Sequence, residues 1–97
     1  MRRSLVERSL RDVHARLVRA REELAVLDEQ VVVFNDAADD ARIRSLVSET
    51  PVAGHDYSDA QRTADAANRA RSSLVATIQE LERRQDELLG RLVVGPR

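Results

Sequence analysis

The sequence predicts an all-α fold, a long antiparallel two-helix coiled-coil hairpin, and three observations carry that reading. Stepping from Val6 through Leu10, Val13, Leu17, Ala20, Leu24, Leu27, Val31, Phe34 and Ala38 to Ala41, the spacings alternate four and three, and every position is apolar. A 3.5-residue repeat held this long is a coiled-coil seam. A second repeat of the same kind runs Ala60, Ala64, Ala67, Arg71, Leu74, Ile78, Leu81, Gln85, Leu88, Leu92, with two polar interruptions. Between them the one strong break is Glu49-Thr50-Pro51-Val52-Ala53-Gly54-His55-Asp56-Tyr57.

The element boundaries follow from end signals. Ser4 with Glu7 three residues later forms a capping box for a first helix over about 4–48. Pro51 holds Thr50 in extended conformations and ends it. Ser58 with Gln61 repeats the capping box, so a loop over about 49–57 and a second helix over about 58–93 are expected, closed by Gly95-Pro96. Such a chain is a single helical-hairpin domain over 1–97. A turn near Ala53 makes facing residue numbers sum to about 106, which sets Leu92 near His14 and leaves residues 1 to about 12 beyond the partner helix. Packing is expected to change along the seam, from alanine near the loop to Leu, Ile and Val away from it.

Composition bounds the rest. The chain has 97 residues, a net charge of −1 and no cysteine, so disulfides, Cys-ligated zinc and thiol catalysis are excluded. One Phe, one Tyr and no Trp leave no large aromatic core. The apolar runs are too short to cross a bilayer, and Met1 to Leu10 holds no apolar stretch of leader type, so a cytoplasmic protein without membrane contact is expected. A lone two-helix seam leaves each helix half wet, while ordering each residue costs about 1–2 kcal/mol of backbone entropy. The first helix carries further apolar residues at Val18, Val26, Val32 and Val33, joined by Val75 and Leu89 in the second. These six are the expected interface with a partner, either a second copy forming a four-helix bundle or another protein.

Charge is segregated. Residues 1–21 carry seven Arg against Glu7 and Asp12, a balance of +5, and residues 22–59 a balance of −8. Arg2, Arg3, Arg8 and Arg11 form a basic overhang, a candidate contact for nucleic acid or an acidic protein. No aromatic residue stands among them to stack on bases. Arg71 and Gln85 are seam polar residues expected to set register, Arg71 by pairing with Asp36 or Asp39 and Gln85 by facing Arg21 or its neighbours. His14 and His55 stand in no helical metal-ligand spacing, and no nucleophile triad or phosphate loop is present, so no catalytic residue, cofactor or metal is expected.

The expected hairpin tip holds Glu49, Asp56, Tyr57 and Asp59. The stretch Asp56-Tyr57-Ser58-Asp59, ahead of an Ala-rich helix, resembles the tip of the Gre-type transcript-cleavage factors. Those factors insert a coiled-coil hairpin into the secondary channel of RNA polymerase and carry Asp-Leu-Ser-Glu there. The resemblance implies that Asp56 and Asp59 help hold a catalytic metal. It covers four residues. Asp59 stands where the family has Glu, the flanking residues differ, and the family's C-terminal domain has no counterpart here. Read from the residues alone, Ser58 and Asp59 are first-turn helix residues. A second comparison is with the small secreted helical hairpins marked by Trp-x-Gly. Val52-Ala53-Gly54 stands at the corresponding place without the Trp, and that assignment is set aside. The functional expectation is a non-enzymatic coiled-coil protein-interaction module. The alternatives are a transcription accessory that places its tip in RNA polymerase or sequesters a helical partner such as a sigma factor, and a nucleic-acid binder acting through the Arg-rich N-terminus.

Overall fold

The computed structural model describes residues 3–94, and side chains through Leu92. Two helices account for them: α1, Arg3–Ser48, and α2, Pro51–Val94, with no strand among the described residues. The pair forms a helical hairpin. Every seam position expected from the 3.5-residue repeat, in both helices, is buried or half-buried. Position Gly95-Pro96 lies outside the described residues.

The turn is far shorter than expected. Only Glu49 and Thr50 lie outside the helices, and α2 starts at Pro51 rather than near Ser58. Pro51 opens α2 instead of merely ending α1, because the first helical position needs no N–H and proline is already set at helical φ. The Thr50 hydroxyl accepts from the Ala53 N–H at 3.2 Å and caps the helix. The Gly54 N–H donates to the Thr50 carbonyl at 3.1 Å, closing the first helical turn. At the other side of the turn, the Glu49 N–H donates to the Ser45 carbonyl at 3.1 Å with Glu49 at φ 52°. This is the left-handed helix stop usually made by glycine. The two expected capping boxes do not form. Ser4 lies inside α1, and Glu7 accepts from Arg3 at 3.1 Å. Ser58 lies inside α2, and Gln61 donates to Asp65 at 2.9 Å.

Gly54 sits in the first turn of α2, and a Cβ built there meets nothing within 4 Å. Gly54→Ala therefore removes the glycine penalty without a clash. It is expected to raise stability by about 0.5–1 kcal/mol, read as a shift of the urea midpoint at unchanged slope.

Side-chain packing falls into two units. In the first, Met1–Glu23 with Leu74–Arg97, the buried residues are Val6, Val13, Leu17, Ala20, Ile78 and Leu88. Leu17 and Leu88 are fully enclosed, each at 0% exposure. Val6 is only 2% exposed, so the seam face is covered as far as the second turn of α1. In the second unit, Leu24–Ser73, the buried residues are Ala38, Ala41, Ala64 and Ala67. The larger seam residues Leu27, Val31 and Phe34 of this unit are half-buried. The expected change from alanine to larger aliphatics holds.

The register differs by three residues from the expected one. Arg21 pairs with Glu82 at 3.2 Å, and the Asn68 amide donates to Asn35 at 3.0 Å. Facing numbers on this side therefore sum to 103. The two-residue turn tightens the pairing and sets Leu92 level with Arg11 instead of His14.

Candidate interaction surfaces

Within the second unit, Arg71 is half-buried at its seam position and its guanidinium pairs with Asp28. The expected partners Asp36 and Asp39 are not used. The long side chain reaches toward the N-terminal side of its own level on α1, where Asp28 flanks the seam. Gln85, in the first unit, is half-buried and has no hydrogen-bond partner among the described residues, and no buried side-chain polar atom there is left unpaired. Its amide therefore reaches solvent. Both residues are accommodated by the seam.

The tip is not the acidic loop the sequence suggested. Asp56, Tyr57 and Asp59 all lie on α2, and only Glu49 belongs to the turn. Tyr57 is half-buried, in phase with Ala53 and Ala60 along the seam. Asp59 is held on both sides, by His55 Nε2 at 3.1 Å and by Arg62 at 3.1 Å, while its carbonyl accepts from the Thr63 hydroxyl at 3.1 Å. Asp56 is exposed and takes part in no ion pair among the described residues. Among the described residues no group of three or more His, Cys, Asp or Glu converges as metal ligands. A shallow, open depression along α2 is lined by Tyr57, Ser58, Gln61, Arg62 and Asp65, all from this one helix.

What brackets the turn instead is apolar. Ile43, Leu46 and Val47 at the end of α1 and Val52 at the start of α2 are exposed, Val47 at 79% and Val52 at 70%. The sequence reading passed over Leu46 and Val52. The signal was present: both are large apolar residues out of phase with the seam, beside a two-residue turn that leaves no room for a loop to cover them.

Heptad positions sort the six expected interface residues. With Leu10, Leu17 and Leu24 at a, and Val6, Val13 and Ala20 at d, Val18 and Val32 fall at b and Val26 and Val33 at c. Glu22 and Glu29, both exposed, fall at f between those two lines. Position f points directly away from the seam, so b and c look out on opposite sides of it. The four valines are therefore two lines and not one stripe. Val75 and Leu89 lie seven residues either side of Glu82, which places them beside the Arg21–Glu82 pair, on the side of Val18. Val18 is 40% exposed, Val32 59% and Leu89 44%, while Val75 is half-buried.

The basic N-terminal stretch is partly engaged. Arg3 pairs with Glu7, Arg16 with Asp12 at 3.3 Å, and Arg21 with Glu82. Arg8, Arg11 and Arg19 are exposed with no ion pair among the described residues. Arg2 lies outside the described residues. On α2, Arg83 bridges Glu80 and Glu87. Its hydrogen bond and charge hold the Glu80 carboxyl below the usual carboxylate range, and Glu80 in turn raises Arg83. Both side chains are exposed, so the network is a solvated one. No helix among the described residues is long and apolar enough to cross a membrane. No family model matches this chain, and neither does any curated protein or solved structure.

Proposed function

We propose that this chain is a non-enzymatic protein-interaction module that works by presenting helical surface to a second copy or to another protein. The observation that carries the reading is the set of large aliphatic side chains left in water, Val32, Val33, Leu46 and Val47 among them, each more than half exposed. Exposed aliphatic side chains that recur in lines along a helix mark interaction sites more often than isolated exposed valines do. A helix face bearing them engages a partner by laying its apolar line into a groove or against another helix. The reading involves no cofactor and no catalytic group.

The test is capture by the tagged chain, compared with variants that replace one line at a time: Val18→Ser with Val32→Ser, Val26→Ser with Val33→Ser, and Leu46→Ser with Val47→Ser. All six positions are off the seam, so circular dichroism is expected to show unchanged helicity. At least one pair is expected to abolish retention of a protein partner or of a second copy. Equal retention by all variants, or no protein retained by the parent chain, contradicts the reading.

A further inference from the structure

One face of α1 is complementary to itself when reversed. It is the face made by positions b and e, on the side where Arg21, Asp28 and Asn35 meet α2 through Glu82, Arg71 and Asn68. Reversed about the Leu24–Ala25 step, five residues in the first half of this face of α1 meet a counterpart in the second half, while Ser4 falls opposite Leu46. Glu7 matches Arg42, Arg11 matches Asp39, and Arg21 matches Asp28: three charges, each met by its opposite. His14 matches Asn35 and Val18 matches Val32, so polar meets polar and apolar meets apolar. A parallel pairing in register sets each of these charges against its own copy. The pattern therefore distinguishes an antiparallel partner of identical sequence from a parallel one in register.

We propose that the occupant of this face is a second copy of the chain, docked antiparallel through α1 with Ala25 at the two-fold axis. The inference rests on the interaction-module reading and names its partner. Within one chain Arg11, Asp39 and Arg42 are exposed and have no ion pair among the described residues. The docked copy supplies the missing partners: Asp39 and Glu7 of the second chain for Arg11 and Arg42, and Arg11 for Asp39. Arg21 and Asp28 already pair within the chain, with Glu82 and Arg71. Docking joins those pairs into an alternating line of charge, the arrangement that fixes register and orientation between helices. Val18 and Val32, 40% and 59% exposed in the single chain, cover one another. Alanine at the axis lets the two helices approach closely. On the outer flank the register sets Glu22 against the partner's Glu29. Both side chains are exposed, where solvent and salt screen the repulsion. Complementary charge of this kind governs partner choice more than raw affinity.

The chain has no cysteine, so single cysteines report the pairing directly. In the full chain under mild oxidation, Ala25→Cys is expected to form a disulfide-linked dimer. Val32→Cys alone is expected to stay unlinked, while an equimolar mixture of Val18→Cys and Val32→Cys forms the mixed dimer. Arg11→Glu and Asp39→Arg are each expected to weaken the dimer about ten-fold, since a symmetric dimer loses the pair twice, and the double variant to recover. Self-linking of Val32→Cys overturns the antiparallel arrangement while leaving self-association intact. A chain that stays monomeric yet loses a different captured protein on substitution of its valines overturns this proposal and leaves the module reading standing. A double charge variant no better than the single ones also overturns it.

Discussion

Replacing Leu88 by alanine is expected to cost about 2–5 kcal/mol, the range for a buried leucine whose cavity does not collapse. Leu88 and Leu17 are the two fully enclosed large side chains, and both belong to the unit that holds the larger aliphatics. A domain of this size commonly has about 5–15 kcal/mol of stability in all, so either Leu88→Ala or Leu17→Ala removes a large share of it. Urea unfolding at fixed protein concentration measures the loss, because self-association makes apparent stability depend on concentration. Leu27→Ala is the control. Leu27 occupies an equivalent seam position but is only half-buried, and its removal is expected to cost less than half as much. Equal losses at Leu27 and Leu88 would contradict the burial pattern.

In the other unit the same seam is expected to fail in the opposite way. Ala64 is 1% exposed, and Ala38 and Ala41 are each 3% exposed. A seam closed on methyl groups has no space for an isobutyl group. Ala64→Leu, although it adds apolar surface, is expected to destabilise by about 1–3 kcal/mol through forced separation of the helices. The same substitution in a loosely packed seam would be neutral or stabilising. Thermal unfolding separates the two outcomes: a fall in Tm supports close approach through alanine, and a rise contradicts it. Ala66, exposed and out of phase with the seam between Ala64 and Ala67, serves as the control at which the same change, Ala66→Leu, leaves the seam untouched.

The seam was legible because a 3.5-residue repeat is visible in one dimension and has one physical meaning. The alanine-to-leucine gradient was legible for the same reason. The turn was misread because Pro51 and Gly54 were given only their helix-breaking sense. Proline at the first helical position starts a helix, and Gly54 is merely tolerated in its first turn. The periodicity itself argued for this, since Ala53 and Tyr57 continue the α2 repeat backward without a change of phase. The error then propagated. A nine-residue loop made Asp56 and Asp59 look like tip residues, whereas in α2 Asp59 is held by His55 and Arg62. It also shifted the register by three residues, which moved the level facing Arg71 from residue 32 to residue 35, toward Asp36 and Asp39 and away from Asp28.

The surfaces were legible as residues but not as faces. Val18, Val26, Val32 and Val33 recur at helical spacing, yet spacing alone does not say on which side of Glu22 and Glu29 each one falls. Heptad positions fixed by the buried seam settle that. The charge match about Ala25 was also present in the sequence. It becomes visible only when the seam has assigned Arg21, Asp28 and Asn35 to one side of α1, where their contacts with α2 confirm the assignment.

The most direct test of the account is the mass of the unmodified chain in solution, measured by sedimentation equilibrium from low to high micromolar concentration. The account predicts a concentration-dependent rise to twice the chain mass of 10.9 kDa, with the dimer weakened by added salt. A mass of 10.9 kDa at every concentration and salt would contradict it.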